Sequence, residues 1–304
     1  MNLKLCFVFV FLLSFKLYSQ SQFIIVLGVA QDGGYPHLGC EKKCCNSAWQ
    51  NDSIRKNVVS LALVDNQTKQ WWLFEATPDI KIQIQNFKNL TKGEFNYLPS
   101  SIFITHAHIG HYTGLMQLGR EVLNAKEIPV YTLPKLKNFI ENNGPWSQLV
   151  SLKNISLLTL DSSVPVILTS NISVNTFTVP HRDEYSETAG FKINTLKNSY
   201  LFIPDIDKWE KWDKKIIEEV TKVNFAFIDA TFSSIDELKN RKPEEVPHPL
   251  ITETIKLFGN CNNQIKNKIY FIHFNHTNPV LWDKAEQFKL KQKGFNIAEE
   301  GKWY

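Results

Sequence analysis

The 34 basic and 30 acidic side chains of this 304-residue chain are interspersed, and the net charge of +4 forms no stripe of the kind that tracks nucleic acid. With 43% hydrophobic residues and no Gly/Ser/Pro-rich linker, repeat or low-complexity tract, the chain can bury one large core without dividing. A small-molecule substrate is the expected partner, and no nucleic acid is expected.

Lys4 followed by the apolar run Leu5 to Phe15 reads as a secretory signal, with Leu17-Tyr18-Ser19-Gln20 as the cleavage region. The run is too short to span a bilayer comfortably, so no stable membrane anchor is expected after cleavage. Residues 1–20 are therefore expected to be removed and 21–304 to fold as a single domain, exported to the periplasm or secreted by a bacterium. The sequon Asn275-His276-Thr277, set among chemistry-bearing residues, suits a bacterial protein that carries no glycan there.

Short apolar runs bounded by turn signals then recur: residues 23–27, 58–64, 71–74, 102–105, 129–131, 172–179, 191–193, 200–203, 225–228 and 269–272. These are strand signals, and 58–64 with 71–74 reads as a hairpin. Helical patterns fall at 114–124, 136–142, 209–220 and 279–292, the last with Pro279 at its start and Gly294 beyond its end. Irregularly interspersed strands and helices predict an α/β domain with two sheets inside helices.

Polar residues with ligand chemistry repeatedly follow these strands. Ile104-Thr105 leads into His106, Val179-Pro180 into His181, Ile203-Pro204 into Asp205, Ile228 into Asp229 and Ile272 into His273. Strand ends along one sheet edge are rigid positions from which side chains can converge. His106, His108 and His111 lie within six residues of a chain that has 8 histidines, and neutral imidazole is a common ligand for zinc and a good one for iron. Cys40, Cys44 and Cys45 are crowded in a second cluster. Adjacent cysteines rarely bridge, so a thiolate metal site suits them better than a disulfide framework; the alternative is an oxidised pair that could involve Cys261.

These residues resemble the metallo-β-lactamase superfamily, whose signature is His-x-His-x-Asp-His after a strand and then His, Asp and His at later strand ends. His106, His108, His111, His181, Asp205 and His273 match it. Within the superfamily, Asp32-Gly33-Gly34-Tyr35-Pro36 with Cys40, Phe227-Ile228-Asp229-Ala230-Thr231-Phe232 and His273-Phe274-Asn275-His276-Thr277-Asn278-Pro279 are similar to the coenzyme PQQ synthesis protein B branch. The resemblance implies a four-layer αββα sandwich with a Zn2+ site on one edge. It assigns His106, His108, His181 and Asp205 to one metal, and His111, His273 and the bridging Asp205 to another.

Gly110 stands where the superfamily has the carboxylate of the second position. That position is expected to be incomplete unless Asp32 supplies the group from elsewhere, and Gly110→Asp is then expected to raise affinity for a second metal. Asp183 is a further candidate, with an ion pair to Arg182 as its plainer role. Asp229 is expected to orient a ligand histidine or cap a turn. His276, three residues after His273, is implied by related phosphodiesterases as a fourth ligand beside Cys40, Cys44 and Cys45 in a structural zinc site. His37 and His248 receive no role.

The chemistry implied is hydrolysis of an ester, lactone, amide or phosphodiester by a metal-activated water, with Asp205 orienting it. His273 and His111 would hold a second metal or donate hydrogen bonds to the developing oxyanion. Two alternatives stand beside it: a non-haem Fe2+ oxygenase related to PQQ biosynthesis, and a non-catalytic binding module on the same scaffold.

Overall fold

In a computed structural model, residues 21–238, 242 and 245–304 are described; the expected signal segment lies outside the described residues. Thirteen strands occur among them: β1 (Gln22–Gly28), β2 (Ser60–Asp65), β3 (Gln70–Phe74), β4 (Ser101–Phe103), β5 (Ile128–Thr132), β6 (Ile155–Thr159), β7 (Val166–Thr169), β8 (Ile172–Val179), β9 (Thr188–Asn194), β10 (Ser199–Ile203), β11 (Phe225–Asp229), β12 (Ile269–Ile272) and β13 (Asn296–Ile297). They form two mixed sheets, ordered β1-β2-β3-β4-β5-β6 and β13-β12-β11-β10-β9-β8-β7. Each is antiparallel through one run of strands and parallel from β3 to β6 or from β10 to β13. Parallel strands all end on the same edge, which is where the polar residues sit.

Both faces of the central strands are covered, and this is why they read as continuous apolar runs. In β1, Ile24 and Val26 face the other sheet, while Phe23, Ile25 and Leu27 join a separate core with Ile80, Ile84 and Phe87 of the helix Ile80–Leu90. Phe74 and Phe103 of the first sheet meet Phe191 of the second edge-on, at ring separations of 5.4 and 5.8 Å. Helices flank the paired sheets, completing the expected four-layer sandwich.

Two backbone ties matter for the site. The loop after β1 pairs with the residue after β12: Gln31 N–H donates to Phe274 O, and Phe274 N–H to Val29 O, both at 2.9 Å. The chain's last residues pair with β1 through Tyr304 and Ile24, so its C-terminal end joins the edges of the two sheets.

Several local expectations differ from the structure. Residues 114–124 form a 3-10 stretch, Thr113–Leu118, followed by turns, because Gly119 ends the stretch in an extended conformation. The pattern over 209–220 is a 3-10 turn at Trp209–Lys211 and a separate helix Ile216–Thr221. Residues 279–292 are two helices, parted at Asp283, whose carboxylate accepts from Ala285 N–H and so starts the second. Strands β6, β7 and β13, at or near sheet edges, and the helices Lys43–Gln50, Ile80–Leu90 and Ile251–Leu257 are additional to the expected elements, although Ile80, Ile84 and Phe87 stand at helical spacing on the buried face of theirs. Among the described residues no helix is long and apolar enough to cross a membrane.

Candidate metal centre

Strand β4 stops at Phe103, and the segment Ile104 to His108, which bends at Ala107 and His108, carries His106 and His108 past the sheet edge. The chain then turns into the short helix Ile109–Tyr112, closed by His111 N–H donating to His108 O, which swings His111 back beneath the edge. His181 follows β8, Asp205 follows β10 and His273 follows β12. His273 holds φ +66°, and the buried Glu75 beyond β3 holds φ +75°. Both are left-handed conformations that cost energy for a non-glycine residue and are kept only where the surroundings impose them.

Four donor atoms converge at the first position. Nε2 of His106 lies 2.8 Å from Nδ1 of His108, which lies 3.2 Å from Nε2 of His181. Asp205 Oδ2 is 3.3 Å from His106 Nε2 and 3.2 Å from His181 Nε2. Nitrogen and oxygen ligands about 2.0–2.1 Å from one tetrahedral ion stand roughly 3.4 Å apart, so this spacing fits a zinc-sized cation. The same Oδ2 faces His111 Nε2 at 3.7 Å and His273 Nε2 at 4.0 Å, placing Asp205 between two groups of ligands.

At the second position Asp32, His111 and His273 bring one donor atom each to within 4.8 Å of one another. Asp32 Oδ1, His111 Nε2 and His273 Nε2 are buried and have no hydrogen-bond partner. Asp32 Oδ1 and His111 Nε2 face each other at 3.3 Å as an ion pair, and buried polar atoms without hydrogen bonds are costly in a dry site unless a water, an ion or an opposite charge compensates them. Asp183, by contrast, turns away: it accepts from Thr188 Oγ1 at 2.9 Å, and Arg182 pairs with Glu184 instead.

The outward nitrogens of most of these imidazoles are held as metal-ligating histidines require. His106 Nδ1 meets Thr105 Oγ1 at 2.9 Å, His108 Nε2 meets Glu184 Oε2 at 2.9 Å, and His111 Nδ1 meets the buried Glu75 Oε1 at 3.2 Å. His273 Nδ1 meets Thr231 Oγ1 at 2.8 Å, and that hydroxyl donates to Asp229 Oδ1 at 2.7 Å. Asp229 thus steadies a histidine and caps a turn, also accepting from Thr231 N–H.

His248, which received no role from the sequence, belongs to this centre. Its Nδ1 lies 2.9 Å from Asp229 Oδ2 and 3.1 Å from Asp205 Oδ1. No apolar run precedes it in the sequence, so the strand-end pattern could not find it. Glu75 was missed although it follows an apolar strand directly, the same signal that marked Asp205. Burial alone would depress the His248 pKa, but Asp229 and Asp205 raise it to about 10. Burial likewise opposes ionisation of Asp205, yet His181, His248 and His273 hold its carboxyl well below the usual range. His111 is raised against its burial by Glu75 and Asp32, whereas burial and the neighbouring His111 keep His106 low.

The thiols of Cys40, Cys44 and Cys45 lie within 4.8 Å of one another, with the Cys40 and Cys44 sulfurs 3.8 Å apart. That is too far for a disulfide, and all four described cysteines are free. His276 is not among the groups within 4.8 Å of these thiols; its ring packs against His37 at 4.3 Å, in the turn that precedes Asn278, the cap of the following helix.

A family model for the beta-lactamase superfamily domain matches residues 70–274. The chain belongs to that superfamily. It is similar to coenzyme PQQ synthesis protein B from Rhizobium meliloti (25% identity over 301 residues, 91% of this chain and 96% of the relative) and from Gluconobacter oxydans (24%, with the same coverage). The fold matches the zinc-bound PqqB of Methylobacterium extorquens with a TM-score of 0.75 at 20% identity, over 93% of this chain and 99% of that one. A diphosphatase of the PhnP family matches with a TM-score of 0.67 at 19% identity, over 93% and 96% of the two chains.

Proposed function

We propose that this protein is a metal-dependent hydrolase acting on a small ester, lactone, amide or phosphodiester. The carrying observation is the convergence of His106 Nε2, His108 Nδ1, His181 Nε2 and Asp205 Oδ2 on one point, at spacings that suit a zinc ion. A bound Zn2+ supplies Lewis acidity and lowers the pKa of water to about 7. The protein's own part is to hold the ligands rigid and to fix their protons on the outward nitrogens. Asp205, kept ionised by its histidine neighbours, would serve as a ligand through Oδ2, leaving Oδ1, 3.1 Å from His248 Nδ1, to orient a water.

The approach runs past His108, whose side chain is 12% exposed while those of His106, His111, His181 and His273 are at most 2%. Arg182 and Glu184 flank that opening, and Glu184 also borders a groove of about 470 Å3 lined by Lys135, Asn138, Phe139 and Tyr185. We place the body of the substrate there. A larger groove, about 890 Å3, lies between Trp209–Glu218 and Glu253–Leu257 and is lined by no residue bonded to a metal-site histidine as Glu184 is to His108.

Elemental analysis of protein purified without chelator, with a screen against bis(p-nitrophenyl) phosphate, p-nitrophenyl acetate and a lactone, tests the reading. Zinc at one or more equivalents with turnover that His108→Ala abolishes is expected; a protein that retains no transition metal overturns it. The three-histidine, one-carboxylate donor set also suits non-haem iron, and similarity to PQQ synthesis protein B keeps an oxidative role as the second reading. Iron in that analysis would select it. The thiol cluster is proposed to hold a structural zinc through Cys40, Cys44 and Cys45. Export is proposed from residues 1–20; intact Met1 on protein recovered from the source cells would exclude cleavage.

A further inference from the structure

Gly110 occupies the place of a ligand, yet the space a side chain would fill there is already taken. A β-carbon built on Gly110 would lie 2.2 Å from Asp32 Oδ1 and 2.6 Å from Asp32 Cα. Nothing in van der Waals contact approaches so closely, so residue 110 can carry a side chain only if Asp32 leaves. Asp32 is itself fixed by backbone. It sits in the tight turn closed by Gly34 N–H donating to Gln31 O at 2.7 Å, with Gly34 at φ +67°, and Gln31 N–H is tied to Phe274 O beside His273. That turn delivers Oδ1 to 3.3 Å from His111 Nε2, an ion pair without a hydrogen bond, with the buried His273 Nε2 also lacking a hydrogen bond beside them.

We infer that Asp32 is the carboxylate ligand of a second divalent metal position, with His111, His273 and Asp205, and that Gly110 is the vacancy which admits it. The carboxylate has not been lost; it arrives from the other side of the site, on the loop after β1. The expectation that Gly110→Asp strengthens a second position is thereby reversed: adding that side chain to a chain that retains Asp32 displaces the ligand already there.

The inference rests on the hydrolase reading only for the first metal position, and metal counting separates the two. Chelator-stripped protein is titrated with zinc by calorimetry and its bound equivalents counted by native mass spectrometry, without any substrate. Asp32→Ala and Gly110→Asp are each expected to lose one equivalent relative to wild type and to keep the one that His108→Ala removes. The reciprocal variant, Asp32→Gly with Gly110→Asp, is expected to regain it. Asp32→Asn, which preserves the turn, serves as the second variant if the others fold poorly, and it too should lose the equivalent. Wild-type stoichiometry and affinity in Asp32→Ala and Asp32→Asn, with loss in His108→Ala, would overturn the role of Asp32 and leave the hydrolase reading standing. Unchanged metal content in all of them would overturn both.

Discussion

Glu75 Oε1 lies 3.2 Å from His111 Nδ1, and both side chains are completely buried. Glu75 also accepts from Thr105 N–H, two residues past the end of β4, so one carboxylate couples the histidine to the strand that presents it. Replacing Glu75 by Gln keeps the shape and removes the charge. Zinc affinity at the position that includes His111 is expected to fall about 10–100-fold, as when the outer partner of a metal-bound histidine is lost. Competition against a chromophoric chelator measures this, and unchanged affinity would show that Glu75 serves only the fold.

His248 Nδ1 lies 3.1 Å from Asp205 Oδ1 and 2.9 Å from Asp229 Oδ2, two buried carboxyl groups that favour its protonated form. Substitution by Phe leaves those carboxylates facing each other without it. Removing one partner of a buried charge group costs about 3–5 kcal/mol, so the metal-free variant should unfold well below the wild type. Zinc binding should restore part of that loss by neutralising Asp205. Thermal melts with zinc and with chelator distinguish this from simple loss of packing, which zinc would not repair.

Glu300 provides a pH test remote from the metal. Burial pushes its pKa up to about 7, against the opposing influence of Lys56 and of Asn57 N–H, which donates to it at 2.6 Å. With the folded value above the unfolded one, its contribution is fully present below about pH 4.5 and is lost as pH rises toward 7. The loss is on the order of 3 kcal/mol from a shift of this size. Glu300→Gln retains an acceptor for Asn57 and should abolish that decline. Urea unfolding of both proteins at pH 5 and pH 8 tests it, and parallel pH dependence would refute the assignment.

The thiol cluster should behave differently with and without metal. If it holds zinc, Cys44→Ser and chelation of the wild type should lower the unfolding temperature alike, by several degrees for each ~2 kcal/mol lost in a domain of this size. In stripped protein, Cys40 should be alkylated before Cys45. Burial and the neighbouring thiols push Cys45 up to about 12, while hydrogen bonds from Cys45 and Lys42 overcome burial to lower Cys40. Peptide mapping after brief iodoacetamide exposure reads the order.

Much of this architecture was legible because the strands are buried on both faces. Phe23 to Leu27, Tyr200 to Ile203 and Phe225 to Ile228 are continuous apolar runs, and a polar residue closing such a run is conspicuous. Asp205 and His273 were visible for that reason. The edge strands β6 and β7 were not, since Ser156, Leu158 and Ile167 are exposed and blur the pattern. The turn breaks at Gly119 and Asp283 were equally hidden, because each depends on a local backbone choice that periodicity does not register.

The sequence by itself determined the class of site: histidines spaced for a metal, strand ends to carry them, and a glycine where a carboxylate was expected. Only the tertiary structure decided what that glycine means. Asp32 and Gly110 are 78 positions apart, and they meet because Gln31 pairs with Phe274 across the seam between the sheets. His248 and Glu75 enter the site in the same way. Chain spacing carries ligands that share a segment; it cannot carry an excluded volume or a buried charge shared between segments, since those exist only once the sheets have closed.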